Sequence, residues 1–448
     1  MATTYIGRTQ GTPTNSKKWT ISYWAKYNLT NGDWYPTFGC DYDIGDSYFG
    51  IGSGGQGRNE IGFLEYHTSA TNYGQGYTTS SLRDPCAWYH IVFAYDSTQG
   101  TAADRGKTYI NGVQQTNTYS TSIPSNHDSR FNMSGSGISI GRRLRGPQYM
   151  DGVLSHFHFV DGTAYDATPF GSTDSTTGEW KINTNPSVTY GNNGFFVLKD
   201  GNSLTDQSGN SNNFTLGNGT LTPTLDNPSN NFAVGNAVNL RYAGGVKRPD
   251  YSNMNLTYTG NDSSYGTPAT STLVMNKGKF YAEFKVQNFA LGVIRMGVVP
   301  MATWDNQGWM YNIGYGYRSN GEKENNGQTS YGDSYTTGDI IGVAFDVDNG
   351  ALWFSKNGTW QNSATISEIA AGTTTNAAYS SLTTAGINLD WAFVPTGLNG
   401  DVIQANYGNG YFGTTAVSSA GTNASNNGTF EYDVPTGFTA LSTKGLNL

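Results

Sequence analysis

The acidic residues are the first candidates for catalysis in this chain. A retaining glycoside hydrolase needs two carboxylates about 5–5.5 Å apart, and an E-x-D-x-x-E strand places alternate side chains on one face. The nearest match is Glu431-Tyr432-Asp433-Val434-Pro435-Thr436, where the third acid is missing and Pro435 interrupts the strand. The chain also lacks a Ser/His/Asp or Cys/His signature, a phosphate loop and a CxxC motif. We therefore expect that the protein is not an enzyme.

Metal binding is the second kind of chemistry that the residue types allow. Asp41, Asp43 and Asp46 surround a turn, and calcium takes six to eight oxygen ligands, often from such loops. Aspartate is also a common turn former, so a calcium site and a plain turn both remain open. His156 and His158 are two apart and so share one strand face, where histidines usually pack against a neighbouring sheet. We expect no cofactor, with calcium at the aspartate turn as the alternative.

Aromatic and arginine side chains are stronger candidates for ligand recognition. Sugar rings present C–H faces that stack on Trp and Tyr, while polar side chains bind the hydroxyl groups. The candidate glycan contacts are Trp34, Tyr35, Trp304, Trp309, Tyr315 and Arg142. Arg142 begins the run Arg142-Arg143-Leu144-Arg145, which could bind an acidic glycan or a partner protein, or form a solvated turn. The aromatic residues could instead fill the cores of the folded units.

The composition favours short strands joined by tight turns. The 448 residues include 59 glycines and only 13% charged residues, against about 7% glycine and about 25% charged residues in typical domains. The net charge of −8 argues against nucleic acid and anionic membranes as partners. No apolar run approaches the ~20 residues of a membrane helix, so we expect no membrane insertion. Cys40 and Cys86 could pair, although cytoplasmic assembly favours free thiols.

Alternating apolar and polar residues predict strands throughout the chain. The clearest segments are residues 19–27, 88–95, 107–110, 153–160, 279–286, 338–347 and 351–355. Helical periodicity is nearly absent, and a single turn near residues 366–371 is the best candidate. These patterns predict an all-β protein with almost no helix.

Three motifs in the first part of the chain follow one another in a specific order. They are Arg83-Asp84-Pro85-Cys86-Ala87-Trp88-Tyr89-His90, the hairpin Tyr109-Ile110-Asn111-Gly112, and a closing strand from Asp151-Gly152 to Val160-Asp161-Gly162. In this order they resemble the laminin-G-like, concanavalin-A-type jelly roll, most closely the versions in virion proteins of marine bacteriophages. The resemblance covers residues 1–165 and implies a lectin-like antiparallel β-sandwich.

A fourth motif stands outside its usual position. In many laminin-G-like domains a D-x-SGN-x-N hairpin opens the domain, whereas here Asp206-Gln207-Ser208-Gly209-Asn210-Ser211-Asn212 follows the closing strand. We therefore predict a connector over residues 166–236, whose hairpin 194–216 packs back on the first sandwich as in a circular permutation. An independent hairpin in the linker is the alternative.

The last part of the chain carries four motifs of another family. They are the GK-x-Y-x-E strand at Gly278–Glu283, the GD-x-IG-x-x-x-D strand at Gly338–Asp346, the L-x-F-x-x-NG hairpin at Leu352–Gly358, and Asn406-Tyr407-Gly408-Asn409-Gly410-Tyr411-Phe412. Together they resemble a SPRY (B30.2-type) β-sandwich over residues 237–448, with Tyr407 in place of the usual Phe. SPRY domains are interaction modules, so the resemblance implies a second binding domain in tandem with the first.

The two resemblances imply a phage virion surface protein, of fibre or receptor-binding type, that adheres to host surface glycans. The alternative is a decoration or assembly protein of capsid or tail that binds other virion proteins without binding glycan. A glycan-degrading enzyme is disfavoured because no acid pair is present. The N-terminus has no basic n-region or apolar h-region, so we expect synthesis in the host cytoplasm and localisation in the virion.

Two further expectations concern assembly. Met1 would lie inside the first sandwich with no separate tail-anchor domain, which supports the decoration hypothesis. We also expect weak binding by a homo-oligomer, in which many shallow sites add up through multivalency.

Overall fold

The chain folds into two compact units, Met1–Pro223 and Thr224–Leu448, in a computed structural model. The structure describes residues 3–28, 35–42, 45–51, 59–67, 71–84, 87–199, 203–237, 249–263, 266–303, 314–382 and 389–447. Short alternating segments separated by Gly and Asn turns form antiparallel strands in both units, which confirms the all-β prediction.

Short strands make up most of the regular structure of both units. The strands of the first unit are β1 (Tyr5–Thr9), β2 (Lys18–Tyr27), β3 (Tyr35–Tyr42), β4 (Gly45–Ile51), β5 (Glu60–His67), β6 (Thr71–Ser81), β7 (Tyr89–Asp96), β8 (Gly106–Ile110), β9 (Val113–Gln114), β10 (Asn117–Thr121), β11 (Gly137–Ile140), β12 (Gly152–Asp161), β13 (Gly171–Thr173), β14 (Trp180–Ile182), β15 (Phe195–Val197) and β16 (Thr215–Asn218). The strands of the second unit are β17 (Asp250–Ser252), β18 (Thr257–Thr259), β19 (Thr267–Pro268), β20 (Lys279–Asn288), β21 (Arg295–Pro300), β22 (Tyr315–Arg318), β23 (Glu322–Glu324), β24 (Gln328–Ser330), β25 (Ile340–Asp346), β26 (Ala351–Lys356), β27 (Thr359–Trp360), β28 (Trp391–Phe393), β29 (Thr396–Gly397), β30 (Val402–Asn406), β31 (Tyr411–Phe412), β32 (Thr415–Ala416) and β33 (Thr439–Ala440). The helical segments are α1 (Ile366–Ala371) and the 3₁₀ turns Ala102–Asp104, Arg130–Asn132, Met301–Thr303 and Gly445–Asn447.

The first unit is a sandwich of two antiparallel sheets. The eight-stranded sheet has the order β10-β6-β5-β4-β3-β11-β1-β16, and the six-stranded sheet has the order β15-β12-β2-β7-β8-β9. Trp19 on β2 packs against Phe63 on β5, with ring centroids 6.4 Å apart. Trp19 also stacks on Tyr95 and Phe159, so one aromatic cluster fills the space between the sheets, as inward-facing alternate residues of a sandwich do.

The end of the first unit returns to both sheets. β15 pairs with β12, with Val197 opposite Phe157, and β16 pairs with β1, with Leu216 opposite Ile6. In the turn between them, the Asp206 carboxylate accepts the Phe196 N–H at 2.8 Å. The described part of segment 194–216 therefore adds one strand to each sheet. It also makes internal backbone hydrogen bonds, from the Gln207 N–H to the Phe196 carbonyl at 2.7 Å and from the Leu198 N–H to the Ser203 carbonyl at 3.4 Å.

The predicted connector 166–236 is divided between the two units. Ala167 and Phe170 are buried beside Val160 on the outer face of the six-stranded sheet, within the first unit. Phe232 forms a bridge with Ser442 and belongs to the second unit. The polar composition of this stretch marks surface segments that a few buried aromatic residues anchor, and the predicted domain bounds stay a prediction.

The second unit is also a sandwich. One sheet has the order β17-β18-β30-β20-β25-β26-β27, with β33 parallel to β20, and the other has the order β19-β29-β21-β22-β23-β24, with β28 beside β21. Phe345 on β25 contacts Trp391 on β28 at 5.2 Å between centroids, which joins the two sheets. Helix α1 forms at the predicted turn, where Thr365 and Glu368 make a capping box. No helix in the described parts of the chain is long and apolar enough to cross a membrane.

Candidate functional site

A short hairpin of residues 141–150, which we name the arginine hairpin, carries three of the 25 Lys and Arg residues of the chain. Arg142 forms a bridge with Tyr149, and the Arg143 N–H donates to the Gln148 carbonyl at 3.1 Å. At the tip, a Cβ atom on Gly146 would lie 2.2 Å from Oε1 of Gln148, so a larger residue there would displace the Gln148 side chain. These contacts define the backbone that presents the arginines.

The arginine hairpin lies on the outer face of the eight-stranded sheet. A Cβ atom on Gly39 of β3 would lie 2.4 Å from the Arg142 carbonyl oxygen. The hydroxyl of Ser139 on β11 donates to the same oxygen at 2.9 Å. Phe38 and Ile140, the alternate residues of these strands, belong to the core. Because side chains alternate between the faces of a sheet, the hairpin covers the face opposite the core.

Arg142 holds the arginine hairpin together. Its guanidinium carbon lies 4.5 Å from the ring centroid of Tyr5 and 5.4 Å from that of Tyr149. Its Nε donates to the Arg143 carbonyl at 2.9 Å, and its Nη2 donates to the Leu144 carbonyl at 2.8 Å. Arg142 is therefore a clamp between two tyrosines, and the predicted contact between Arg142 and a glycan stays a prediction.

Arg143 and Arg145 are the outer cations of the arginine hairpin. The Arg143 guanidinium lies 5.0 Å from the centroid of the Tyr48 ring, and Tyr48 is only 2% exposed. Arg145 Nε lies 2.7 Å from Oδ1 of Asp41, and the two side chains are 35% and 36% exposed. Such an exposed ion pair contributes little stability and can exchange its partner.

This surface has the chemistry of a binding site. Guanidinium groups present several N–H donors in one plane, which suits carboxylate and sulfate oxygens and the hydroxyl groups of sugars. Tyr5 and Tyr149 are half-buried and add ring surface beside the cations. Asp41 contacts the hairpin through its ion pair with Arg145. The guanidinium groups and tyrosine rings of the described residues favour ligand binding.

The outer face of the six-stranded sheet is covered by residues 163–192, which we name the strap. Trp180 of the strap donates its indole N–H to Nδ1 of His90 at 2.9 Å, and the Tyr190 hydroxyl lies 2.8 Å from Nδ1 of His158. Burial lowers the pKa of His90 to about 3 and also lowers the pKa of His158. The strap thus buries two neutral histidines in a second small core.

The two histidines of β12 do not alternate regularly. A bulge interrupts the pairing of β12 with β2 between Ser155 and His158, and His156 has a φ of 51°. Both rings nevertheless contact Phe196, with centroids 5.7 and 3.9 Å apart, so the two histidines lie on the same side of the strand in spite of the bulge. Among the residues that the structure describes, no group of three or more His, Cys, Asp and Glu is placed to hold a metal ion.

The aspartate turn lies at the junction of β3 and β4. Asp41 is opposite Asp46 in the register of the two strands, and Arg145 pairs with Asp41. Asp43 and the side chain of Asp46 lie outside the described residues. A calcium ion at this turn would compete with Arg145 for Asp41, and calcium binding stays a prediction.

Only one of the two cysteines lies in the part of the chain that the structure describes. Cys40 is a buried free thiol, and its Sγ donates to the Arg130 carbonyl at 3.0 Å. Cys86 lies outside the described residues.

The predicted glycan contacts fall in different environments. Tyr35 is the first residue of β3, is 4% exposed and belongs to the core, which is the alternative that the sequence left open for the aromatic residues. Tyr315 on β22 is half-buried and packs against Tyr379 and Trp391, with centroids 5.2 and 5.8 Å apart. The three tryptophans of this set lie outside the described residues, namely Trp34, Trp304 and Trp309.

The acidic pair Glu431 and Asp433 orders loops. The Glu431 carboxylate accepts the Ser418 N–H at 2.6 Å, and the Asp433 carboxylate accepts the Thr422 N–H at 2.6 Å. Sequence reasoning did not find Tyr5 and Tyr48 as supports of the arginines, because both are distant from the hairpin in the chain.

Comparisons with known proteins identify one domain in each unit. The Concanavalin A-like lectin/glucanases superfamily matches residues 2–168, and the SPRY domain family matches residues 279–373. The curated "ATP-dependent RNA helicase DDX1" of Xenopus laevis is 36% identical over 89 residues, which are 20% of this chain and 12% of the helicase. This chain thus spans about an eighth of that relative's length.

Two solved structures show similarity at low sequence identity. The SPRY domain of human HERC1 is 16% identical, and the match covers 32% of this chain and 83% of that chain with a TM-score of 0.25. The heptameric SAP-like pentraxin from Limulus polyphemus is 13% identical, and the match covers 44% of this chain and 90% of that chain with a TM-score of 0.29. The two family matches show that the chain carries a concanavalin A-like domain followed by a SPRY domain, both of them folds typical of non-catalytic binding modules.

Proposed function

We propose that this protein is a virion surface protein of a bacteriophage and adheres to host surface glycans. The observation that carries the glycan part is the arginine hairpin, which holds two partly accessible cations and two half-buried tyrosines on the outer face of a lectin-like sheet. Sugar ligands need both kinds of contact, since rings stack on their C–H faces and planar donors bind their oxygens.

The virion part of the proposal rests on the order of sequence motifs. The motifs at residues 83–90, 109–112 and 151–162, followed by the SPRY motifs, resemble those of phage virion proteins. A shallow surface of this kind binds one sugar segment weakly. Several copies on one particle would add their weak contacts, since linked sites raise the effective concentration of each other's ligand. We accordingly propose that the protein acts as a homo-oligomer among other virion proteins.

The direct test uses the purified full-length protein and polysaccharide isolated from the envelope of a host bacterium. Retention of the protein on immobilised polysaccharide, without release of new reducing ends, is the expected result. Release of reducing ends would identify an enzyme and overturn the binding-only proposal. Light scattering of the same sample measures the number of chains in the particle and tests the homo-oligomer directly.

A second candidate function is structural decoration of the capsid or tail without glycan binding. One observation favours it: the predicted aromatic contacts that the structure describes, Tyr35 and Tyr315, pack against other aromatic residues within their units. In the retention experiment, this candidate predicts that the protein passes through the polysaccharide column. Binding to purified phage particles that lack the protein would then support decoration.

A further inference from the structure

We infer that Asn326 is a site of spontaneous covalent modification. Its side chain reacts with the backbone nitrogen of Gly327, which converts residue 326 to a mixture of isoaspartate and aspartate and loosens the hairpin of β23 and β24. The modification is independent of the proposed function, because it concerns one turn of the second unit. Three observations support it: the Asn-Gly dipeptide, the absence of partners for its two reacting groups among the described residues, and the position of the turn at a sheet edge.

The reaction needs an asparagine that a small residue follows. The Gly327 nitrogen attacks Cγ of Asn326 and forms a cyclic imide, while the bond from Cγ to Nδ2 breaks and ammonia leaves with the proton of the Gly327 N–H. Water then opens the ring at the side-chain carbonyl, which gives aspartate, or at the backbone carbonyl, which gives isoaspartate. Glycine favours the first step because no Cβ atom stands beside the attacking nitrogen.

Most Asn-Gly pairs of this chain are protected because the asparagine side chain is already bonded. Ten such pairs lie in the described residues. An amide held by hydrogen bonds has to give them up before its carbon can turn toward the following nitrogen. Seven of the ten asparagines each make at least one side-chain hydrogen bond of 2.7–3.0 Å, namely Asn111, Asn193, Asn218, Asn320, Asn349, Asn357 and Asn427.

Two further pairs are protected at the attacking nitrogen. The N–H that follows the exposed Asn399 donates to the Gly260 carbonyl at 2.9 Å. The N–H that follows Asn409 donates to Oδ1 of Asn406 at 3.1 Å, and Asn409 is only 4% exposed. Because each nitrogen would have to lose its hydrogen bond to reach the geometry for attack, the reaction is slowed in both pairs.

Asn326-Gly327 is the remaining pair, and both of its reacting groups are available. Asn326 is exposed, and neither its side chain nor the Gly327 N–H has a hydrogen-bond partner among the described residues. The bonds at this tip are donated by Asn325, whose N–H donates to the Gly327 carbonyl at 3.1 Å and whose Nδ2 donates to the Gly314 carbonyl at 2.8 Å. The Asn326 side chain can therefore turn toward the nitrogen in solvent, which also supplies the water for the second step.

Isoaspartate at residue 326 alters the hairpin because it adds one carbon atom to the backbone of the turn. Glu324 is opposite Gln328 in the register of β23 and β24, and Nε2 of Gln328 donates to Oε1 of Glu324 at 3.1 Å. Glu324 also forms a buried ion pair with Arg295. All three residues of β24 are exposed, so this edge strand depends on its pairing with β23. A longer turn shifts that pairing, and we expect the β24 amides to lose protection from hydrogen exchange.

The experiment follows the Asn-Gly pairs of the full-length protein in one sample. The protein is kept at mildly alkaline pH, which favours attack by the backbone nitrogen, and aliquots are digested for mass spectrometry. Conversion of an amide to an acid raises the peptide mass, and an isoaspartyl methyltransferase labels the isoaspartate. Asn326 is expected to convert at least tenfold faster than Asn320, the matched control, which is also exposed but donates to Glu322 at 2.7 Å. In a parallel sample unfolded in urea, the two are expected to convert at comparable rates.

Variants separate the charge of the product from the length of its backbone. Asn326→Gln has a longer side chain that does not form the imide readily, so its β24 amides are expected to stay protected throughout the incubation. Asn326→Asp carries the charge of the product without the additional backbone atom, and β24 is expected to stay as protected as in fresh unmodified protein. In aged unmodified protein, the loss of β24 protection is expected to follow the amount of isoaspartate at residue 326.

Three outcomes would overturn the inference. Conversion of Asn320 as fast as that of Asn326 in the folded protein would show that side-chain bonding does not select the site. Conversion of Asn326 in the unfolded chain alone would show that the turn protects it. Equal loss of β24 protection in fresh Asn326→Asp would assign the effect to charge. Retention of the protein on host polysaccharide is measured separately, so the proposed function stands or falls independently of these results.

Discussion

The indole N–H of Trp180 donates to Nδ1 of His90 across 2.9 Å. Because an indole nitrogen can only donate, Nδ1 of His90 must be the unprotonated acceptor. The hydrogen of the neutral ring is therefore on Nε2, which lies 2.9 Å from the Ser22 hydroxyl. Protonation of His90 would break the bond to Trp180 inside a buried site, which agrees in direction with a pKa lowered to about 3 by burial.

This relationship predicts that the first unit loses stability in mild acid. Below pH ~6.5 the unfolded chain protonates His90, whereas the folded unit does not until the pH approaches 3. The free energy of unfolding therefore falls as the pH decreases through this window, by about 2 kcal/mol between pH 7 and pH 5 from this residue alone. Native-state hydrogen exchange of the β7 amides at several pH values measures the decrease.

His90→Gln is the control for the acid effect. Glutamine keeps an acceptor for Trp180 and a donor for Ser22 but does not titrate. The variant is expected to lose most of the pH dependence in the first unit, with a remainder from His158, whose pKa burial also lowers. A variant that retains the full dependence would show that other groups cause it.

Gly112 is predicted to be essential for the fit of the strap. It has a φ of 79° in the Asn111-Gly112 turn between β8 and β9, and a Cβ atom would lie 2.4 Å from the Trp180 ring. Gly112→Ala is expected to cost about 2–3 kcal/mol, because backbone strain of about 1 kcal/mol adds to the displaced indole. The thermal midpoint of the first unit measures the loss.

Gly100→Ala is the matched control for Gly112→Ala. Gly100 is exposed, and a Cβ atom there would have no atom within 4 Å. We expect a change within about 0.5 kcal/mol, as for ordinary surface substitutions. Equal effects of the two substitutions would contradict the proposed contact between Gly112 and the strap.

Local patterns predicted much of this fold, whereas contacts distant in sequence were missed. The Asn111-Gly112 turn and the capping box at Thr365 depend on neighbouring residues, so their signals are present in short windows of sequence. The support of Arg143 by Tyr48 depends on how β4 and the arginine hairpin meet in space. The alternation of apolar and polar residues within a short segment cannot indicate such a contact between distant segments.

Two features of the candidate residues depend on contacts that local patterns do not show. Tyr35 was a candidate glycan contact, but its ring packs in the aromatic core and it begins β3. The even spacing of His156 and His158 predicted one face, and both rings do contact Phe196, although a bulge interrupts the strand between Ser155 and His158. Bulges have no fixed composition, so residue spacing alone did not indicate this one.

Arg142 and Arg145 are predicted to contribute very differently to stability. Arg142→Ala removes two cation–π contacts of about 0.5–1 kcal/mol each and two hydrogen bonds to carbonyls of the hairpin, so we expect a loss of about 2–3 kcal/mol. Arg145→Ala removes an exposed ion pair and is expected to cost at most about 0.5 kcal/mol. Hydrogen exchange of the Arg143 and Met150 amides separates the two, and similar protection in both variants would refute the clamp.

Glu283 is predicted to give the second unit the opposite pH dependence. Its buried carboxylate accepts the N–H groups of Glu431 and Tyr432 at 2.8 and 2.9 Å, yet burial raises its pKa to about 7. Between pH 4.5 and 7 the unfolded chain releases this proton and the folded unit retains it. The stability of the second unit therefore falls as the pH increases, by about 1.5 kcal/mol from pH 5 to pH 6.5.

The same exchange experiment tests Glu283 through the amides of β20. Between pH 5 and pH 6.5 these amides are expected to lose protection while those of β7 in the first unit gain it. Glu283→Gln is expected to remove the pH dependence of β20, at the cost of a side-chain N–H facing the backbone donors of residues 431–432. Parallel pH dependence in both units would contradict the assignment.

Asp206 is predicted to be the residue that closes the first sandwich. Its carboxylate accepts the N–H groups of Phe196, Ser208 and Asn212 at 2.8–2.9 Å, which joins β15 of one sheet to the segment that leads into β16 of the other. Asp206→Asn replaces one acceptor oxygen by a donor among N–H groups, and an unsatisfied buried group costs about 1–3 kcal/mol. We expect the thermal midpoint to fall and the amides of β15 and β16 to lose protection together.

The control is the exposed Asp166, whose carboxylate accepts the Thr168 N–H at 2.9 Å. Asp166→Asn should leave both strands protected. If Asp206→Asn weakened β15 alone, the two strands would close the sandwich independently, and the carboxylate would not couple the two sheets.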